Sequence, residues 1–320
     1  ASHLPRARFV LQFRGVRRPR DFTHRPIQSQ GAPLPGEPFS IRRAPTRTRS
    51  RGATRRGRAE GIWGPISEVS ASNPRRRIFG LPKSVLRVRP MSQLRSLVPS
   101  PQIVVIGASG GIGGAFVDSL AHHHPSGTVH ALSRSPQPSA GNVRHHYVDI
   151  TDEKSIRAAA QASSGDGPLD LVIVASGILH RDSELQPEKS MRALDPKALY
   201  EVFCINTFGP ALVAKHFLPL LRTGHKTVFA ALSARVGSIS DNRLGGWASY
   251  RASKAALNML LKTLAIEHAR RWPDSVVVAL HPGTVDTALS RPFSSRVPAG
   301  RLFEPSQSAR YLLSVIDDLT

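Results

Sequence analysis

A short apolar strand that runs directly into a glycine-rich loop constrains this chain more than any other feature. The β-branched segment 102–106 predicts a buried strand, and a helical pattern extends from Ala115 to about His122. Glycines between them allow a tight turn and a close approach of phosphate to the backbone. The order of strand, loop and helix therefore predicts a dinucleotide site built from backbone N–H groups and a helix N-terminus. The loop residues are Gly107, Ser109, Gly110, Gly111, Ile112 and Gly113.

A tyrosine and a lysine four residues apart form the second informative feature. The apolar spacing from Tyr250 to about Arg270 predicts a helix, since that stretch contains neither glycine nor proline. Tyr250 and Lys254 then leave one face of the helix a single turn apart. A fixed ammonium charge favours a phenolate, so the pair is predicted to lower the pKa of Tyr250 from about 10 and to transfer a proton near neutral pH. The alternative is a pair that only decorates a half-exposed helix face.

The two features occur in the order and spacing of one protein family. The glycines fit G-x-x-x-G-x-G, and Y-x-x-x-K follows about 140 residues later. Together they resemble the short-chain dehydrogenase/reductase family, and segment 238–247 is similar to the sniffer-like and C-factor-like carbonyl reductases. The resemblance covers about residues 100–318. It implies an α/β fold, a single Rossmann-type, doubly wound parallel sheet with helices on both faces, over residues 91–320. It also implies an NADP-dependent oxidoreductase that acts on a small carbonyl or alcohol substrate.

Arg134, which follows the second predicted strand, points to the cofactor. An acidic residue at this position would bind the ribose hydroxyls of NAD, whereas a guanidinium suits the 2′-phosphate of NADP. NADP is therefore expected and NAD remains possible; a solvated surface arginine is the other interpretation. Asp149 matches an adenine contact of the family, or else supplies a charge to a helix N-terminus. Further cofactor contacts implied by the resemblance are Ile150, Ala175, Ser176, Gly177, Pro282, Gly283, Val285 and Thr287, besides Tyr250 and Lys254.

The resemblance also implies the catalytic roles. Tyr250 is the proton donor in reduction, Lys254 lowers its pKa and holds the nicotinamide ribose, and Asn206 bends its helix and supports a proton relay. The family's serine, which binds the carbonyl oxygen, aligns with Ala234. Ser233 is favoured in its place because it ends a strand, and Ser238 is the alternative.

Departures from the family pattern leave a second function open. Ala234 lacks the family's hydroxyl, and the asparagines usual in the fourth strand are replaced at Val174 and Ala175. A dinucleotide-binding scaffold or sensor with impaired turnover is therefore the alternative to an enzyme. Ala288 to Pro298 is expected to be a loop over the active site that sets substrate preference.

The first ninety residues differ from the rest of the chain in charge. Residues 1–90 hold 21 Lys and Arg against four acids, whereas residues 91–320 hold 23 against 18. This Arg- and Pro-rich leader has no apolar period and is predicted to be disordered. It is interpreted as a transit peptide, as an extension outside the working protein, or as a nucleic-acid-binding arm. The protein is expected in the cytoplasm, or in a plastid or mitochondrion if the leader is a transit peptide.

Few partners are expected beyond the substrate. The family adds a strand after the last helix, and the sheet is expected to lack that edge strand. A homodimer is the one assembly considered. No apolar run has the length of a membrane span, so no membrane association is predicted. A nucleic-acid partner and a metal site are not expected.

Overall fold

A computed structural model describes residues 10–12, 94–298 and 300–319. The chain divides into residues 1–18 with 87–320 and residues 19–86, and every described residue belongs to the first unit. The described strands are β1 Val10–Gln12, β2 Gln102–Ile106, β3 Thr128–Ser133, β4 Val143–Tyr147, β5 Leu171–Val174, β6 Thr227–Leu232, β7 Ser275–Leu280, β8 Thr284–Val285 and β9 Leu302–Phe303. The α-helices are α1 Gly111–His123, α2 Glu153–Ser163, α3 Pro196–Phe203, α4 Gly209–Phe217, α5 Ala248–Ala269 and α6 Pro305–Asp318.

Six parallel strands form the main sheet in the order β4-β3-β2-β5-β6-β7. The order reverses between β2 and β5, which is where a doubly wound sheet opens a crevice at the carboxyl ends of its strands. β5 is apolar and buried along its whole length, and β2 is so from Ile103 onward, because helices cover both faces of the sheet. The predicted fold class is confirmed.

Helices cover the two faces of the sheet with separate cores. One core joins the sheet to α2, α4 and α5 through side chains such as Ile156, Phe217 and Leu257. The other joins it to α1 and α6 through Phe116 and Leu312. Burial of these faces fixes the sheet between two helical layers and sets the positions of the loops at its carboxyl edge.

The helical segment that carries Asn206 is interrupted. α3 passes into a π-helical turn at Cys204–Phe208, α4 continues from it, and a 3₁₀ turn at Leu218–Leu220 closes the segment. Asn206 lies inside the π-turn. Such turns are rare and concentrate at functional sites.

A three-residue strand, β1, pairs antiparallel with β7 at the edge of the sheet; Val10 lies opposite Leu280 and Gln12 opposite Val278. β1 is the part of residues 1–90 that the structure describes, and the remaining predictions for that leader lie outside the described residues. No helix within the described ranges is long and apolar enough to cross a membrane.

Candidate active site

The start of α5 is fixed by a residue distant in sequence. Trp247 precedes the helix and supplies no side-chain cap. Instead, the buried carboxylate of Glu188 accepts hydrogen bonds from the backbone N–H and the hydroxyl of Ser249. The carbonyl of Glu188 also accepts the Trp247 N–H. A carboxylate at a helix N-terminus is favoured by the helix dipole, so Glu188 holds the end of α5 that carries Tyr250.

Lys254 is almost fully buried, at 3 % exposure, beneath the carboxyl end of β6. Its Nζ donates to the carbonyl of Leu232 at 2.9 Å and lies 5.8 Å from the ring centroid of Tyr250. Burial lowers the pKa of Lys254 to about 8. The ammonium group therefore remains mostly charged at neutral pH, and it lies beside the tyrosine as the sequence predicts.

Tyr250 differs from its predicted acidity. The side chain keeps some exposure, but enough protein surrounds its hydroxyl that burial raises the pKa to about 12. Burial disfavours the phenolate more than the ammonium group of Lys254 favours it at this distance. The expectation of a lowered pKa is therefore wrong, and Tyr250 holds its proton at neutral pH.

Asn206 joins the π-turn to two other elements. Its Oδ1 accepts the N–H of Ile178 at 2.8 Å, and its Nδ2 donates to the Ile178 carbonyl at 2.8 Å and to the Ser253 hydroxyl at 3.2 Å. The neighbouring Thr207 hydroxyl donates to the Ser253 carbonyl at 2.9 Å. Asn206 is fully buried, and these contacts tie the loop after β5 to the turn of α5 that carries Lys254.

Ser233 does not lie where its predicted role requires. Its hydroxyl donates to Oδ1 of Asn258 at 2.7 Å, and Asn258 lies eight residues beyond Tyr250, about 12 Å along the helix axis. The hydroxyl is therefore directed at the body of α5. Ser238 follows a 3₁₀ turn whose Gly237 packs on the backbone of Lys254, where an added Cβ would lie 2.8 Å from the carbonyl carbon.

The glycine loop is closely packed, as a phosphate-binding turn requires. Gly107 has φ +87°, and a Cβ there would lie 2.8 Å from the backbone nitrogen of Ser176. A Cβ on Gly113 would lie 2.1 Å from the Gly107 carbonyl oxygen, and one on Gly111 would lie 2.9 Å from Cγ2 of Thr287. The loop after β2 thus meets the segments that follow β5 and β8. The exposed residues Ser109 and Gly110 lie at the start of α1.

Two polar groups at this loop are open to a ligand. The N-terminus of α1 has no side-chain cap and no acid in its first turn, so its first N–H groups remain available to an anion. Within the described part of the chain, the buried Oγ of Ser176 has no hydrogen-bond partner. A dinucleotide that lies across the carboxyl ends of β2 and β5 fits both observations.

The far end of the crevice holds Arg134 and Asp149, which follow β3 and β4. Arg134 is exposed, and the Asp149 carboxylate accepts the backbone and hydroxyl hydrogens of Thr151 at 2.9 and 2.7 Å. Desolvation alone would raise the pKa of Asp149, but those hydrogen bonds and the charge of Arg134 outweigh it and lower the pKa. Ile150 is buried in the core and packs against Gly209, so its side chain does not offer the predicted cofactor contact.

The remaining predicted cofactor residues lie at the same edge of the sheet. Ala175 and Gly177 follow β5, and a Cβ on Gly177 would lie 3.6 Å from the Nζ of Lys254. Pro282 and Gly283 follow β7; the Pro282 carbonyl accepts the Ser308 hydroxyl, and Gly283 has φ +81°. Val285 is 3 % exposed, so its side chain packs inward.

Sequence patterns did not indicate Glu188, Trp247 or Asn258 as parts of the site. Glu188 lies 61 residues from Ser249, and such a distant cap leaves no local spacing to recognise. Two glycines before Trp247 were a usable signal, since Gly245 and Gly246 both adopt positive φ and Trp247 follows with φ +53°. Paired glycines before a helix favour this left-handed entry.

Comparisons with known proteins agree with the geometry. The family model for short chain dehydrogenase matches residues 101–297. A 1-hydroxy-2-glutathionyl-2-methyl-3-butene dehydrogenase of Rhodococcus sp. strain AD45 is 32 % identical over 221 residues, covering 68 % of this chain and 91 % of the relative. C-signal of Myxococcus xanthus is 35 % identical over 153 residues, covering 48 % of this chain and 83 % of the relative.

One solved structure extends the comparison to three dimensions. The NADPH-bound carbonyl reductase from chicken fatty liver is 28 % identical and superposes with a TM-score of 0.60. The match covers 70 % of this chain and 93 % of the carbonyl reductase chain. The family match spans the glycine loop, the Tyr250–Lys254 helix and the last strands of the sheet. The chain therefore belongs to the short-chain dehydrogenase/reductase family and is an NAD(P)-dependent oxidoreductase.

Proposed function

We propose that the chain is an NADP-dependent carbonyl reductase or alcohol dehydrogenase with Tyr250 as its acid and base. One observation carries the proposal: Tyr250 and Lys254 share a face of α5 next to the carboxyl edge where the glycine loop lies. When bound, the dinucleotide supplies or accepts the hydride. The protein's task is to orient the substrate, exclude water and move the proton.

The residues at the crevice fit a dinucleotide. The Gly107 and Gly113 backbones leave no room for side chains, α1 presents uncapped N–H groups, and Ser176 offers an unused hydroxyl. We assign the pyrophosphate to the glycine loop with Thr287, and the nicotinamide ribose to Tyr250 and Lys254.

NADP is favoured over NAD because Arg134 is exposed at the end of β3 and available to a 2′-phosphate. Similarity to a carbonyl reductase with bound NADPH supports the same choice. Binding constants for NADPH and NADH, measured with the full chain and with an Arg134→Ala variant, test it. NADPH should lose affinity selectively in the variant; an equal change for both cofactors would favour the solvated-arginine interpretation.

The proton chemistry follows from the two pKa values. Tyr250 is protonated at neutral pH, so it donates to a carbonyl oxygen as hydride reaches the carbonyl carbon. The ammonium of Lys254 stabilises the phenolate that results. Both donor positions of the Asn206 amide are occupied, which makes Asn206 a positioning residue for the Lys254 turn.

Ser238 is the better candidate for the hydroxyl that binds the carbonyl oxygen. It is half-buried beside the Lys254 turn, and its hydroxyl has one long contact, 3.4 Å, with Ser240. Ser233 instead donates to Asn258. We therefore assign the carbonyl contact to Ser238.

A Tyr250→Phe variant tests the proposed function. NADPH oxidation is followed with small aldehydes, ketones and quinones, and NADPH binding is measured in parallel. Loss of the proton donor should lower kcat by about 10²–10⁴-fold while binding persists. The scaffold alternative draws on Ala234 and the replaced asparagines. It would replace the reductase if parent and variant both bind NADPH and neither turns over.

We also propose that residues 91–320 form the dinucleotide-binding domain.

Exposed apolar side chains on neighbouring helices, with Tyr200 70 % and Met259 68 % exposed, favour a homodimer through α3 and α5. Sedimentation equilibrium of the full chain distinguishes monomer from dimer.

A further inference from the structure

Three aromatic rings from separate segments meet beside Tyr250. Trp247 precedes α5, His180 lies in the loop after β5, and Phe293 lies in the 3₁₀ helix Arg291–Arg296. The Phe293 ring centroid is 5.0 Å from that of Trp247 and 5.6 Å from that of His180, with interplanar angles of 61° and 74°. All three side chains are half-buried, so each ring keeps accessible surface. We call these three residues the aromatic cluster.

The position of Trp247 is enforced by buried contacts. Its φ of 53° and ψ of 42° lie in the left-handed region, which side-chain-bearing residues rarely occupy. Glu188 holds it there, because its carbonyl accepts the Trp247 N–H while its carboxylate binds Ser249. Strain that is maintained by surrounding contacts concentrates at ligand sites.

The aromatic cluster is one helical turn from the proposed proton donor. The ring centroids of Trp247 and Tyr250 are 6.4 Å apart at 75°. A ring held in the cluster would therefore bring a carbonyl bonded directly to it close to the Tyr250 side chain.

Two arginines next to the cluster are already paired with acids. Arg181 forms two hydrogen bonds with the Glu201 carboxylate, at 2.6 and 3.1 Å. Arg291 lies 3.6 Å from the Asp286 carboxylate. Because both guanidinium groups have an acidic partner, they do not favour an anionic substrate, and flat uncharged rings match the cluster better.

We propose, on the basis of the reductase function above, that the aromatic cluster is the substrate subsite and selects carbonyl compounds whose carbonyl is attached to an aromatic ring. Ring pairs in edge-to-face or offset-stacked geometry are stabilised beyond their buried area. That additional attraction corresponds to about a two- to twelve-fold gain in kcat/KM. A saturated ring of the same size gains only from burial.

Matched pairs of carbonyl compounds test the proposal in the full chain with NADPH. The pairs are benzaldehyde with cyclohexanecarboxaldehyde, and acetophenone with cyclohexyl methyl ketone. The measured quantity is the aryl-to-cyclohexyl ratio of kcat/KM in parent, Phe293→Leu and Trp247→Leu. Leucine keeps apolar volume and removes the ring, so the ratio should fall by about two- to twelve-fold in each variant. Because both rates come from one preparation, the ratio is insensitive to partial loss of folded enzyme.

A matched control removes an aromatic ring elsewhere. Trp272 contacts His268 with 4.7 Å between ring centroids, just before the amino end of β7 and far from the crevice. Trp272→Leu should leave the ratio unchanged.

The outcomes separate the two proposals. Equal ratios in parent and both cluster variants would overturn the aryl selection and leave the reductase intact. If the enzyme reduced butanal but none of the aryl or cyclohexyl compounds, the aryl selection would also be overturned and the reductase proposal would stand. If no carbonyl compound is reduced although NADPH binds, the reductase proposal fails and the substrate proposal fails with it.

Discussion

The buried ammonium group of Lys254 lowers the stability of the fold but is needed for the proposed reaction. Lys254 is almost fully buried and has the Leu232 carbonyl as its close acceptor. Lowering its pKa from 10.5 to about 8 corresponds to a cost of about 3 kcal/mol for keeping the charge in this site. An apolar side chain would avoid that cost, so the ammonium is retained for its effect on Tyr250.

Replacement of this charge should separate stability from activity. Lys254→Met should abolish turnover and leave the free energy of unfolding at pH 7 unchanged or higher by up to about 3 kcal/mol. Urea unfolding measures the stability, and Lys197→Met on the exposed surface of α3 is the control.

The pH dependence gives a second readout of the same change. Because the folded pKa of Lys254 is about 8 and the unfolded value 10.5, the folded state loses its proton first. The free energy of unfolding should therefore rise with pH between about 8 and 10 in the parent and not in Lys254→Met. Above pH 10 the raised pKa of Tyr250 acts in the opposite direction. A rise of equal size in both proteins would contradict the assignment.

The choice between two serines is also decided by single substitutions. Ser238→Ala should lower kcat by about 10²–10³-fold with little change in NADPH affinity, because it removes a donor to the developing oxyanion. Ser233→Ala should lower kcat much less, since that hydroxyl is bonded to Asn258. Steady-state kinetics of the two variants compare them directly. If Ser233→Ala lowered kcat more than Ser238→Ala, the carbonyl contact would belong to Ser233, as the sequence analysis favours.

At the scale of elements, the glycine loop allows a sharp prediction. Gly113→Ala places a methyl group 2.1 Å from the Gly107 carbonyl oxygen. The variant should be destabilised by about 1–3 kcal/mol, and NADPH binding should weaken at least about tenfold, because the phosphate-binding turn must open. Isothermal titration and thermal unfolding measure both effects.

Gly165→Ala is the matched control for that change. Gly165 follows α2 without positive φ, and an added Cβ would lie 3.7 Å from the nearest atom. It should therefore be neutral or stabilising by about 0.4–1 kcal/mol. If Gly113→Ala lost no more stability and NADPH affinity than Gly165→Ala, the loop would tolerate a side chain and its packing would not hold the cofactor.

Local patterns predicted the elements well where one physical cause dominates. The bounds of β2 agree with the apolar run that predicted it, because a buried strand between turns leaves a clear signal. The π-turn was not predicted as such; Asn206 only indicated a bend. Glu188 and the Ser233–Asn258 pair could not be predicted, since both depend on which distant segments the fold brings together.

At the scale of the whole molecule, the edge of the sheet depends on three residues near the start of the chain. β1 covers the backbone of β7 at Val278–Leu280. An uncovered edge strand offers unpaired N–H and C=O groups to other chains. Residues 1–12 are therefore expected to stabilise the dinucleotide-binding domain and to limit its self-association.

Deletion of residues 1–12 should lower the midpoint of thermal unfolding by about 2–4 °C and increase self-association. A double Val10→Pro, Leu11→Pro variant of the full chain should reproduce both effects. Proline has no backbone N–H, and one of two adjacent residues in β1 directs its N–H towards β7. Calorimetry and light scattering measure them. No change in either protein would mean that β7 needs no cover from this segment.

The contacts of Glu188 and Asn206 have a consequence for recombination between related sequences. Both residues precede the exposed turn at residues 223–225, and their partners Ser249 and Ser253 follow it. Recombination between two relatives at this turn would divide each pair between different parents. A chimaera would keep its Tyr250 and Lys254 yet lose their alignment, unless both parents carry compatible residues on the two sides of the crossover.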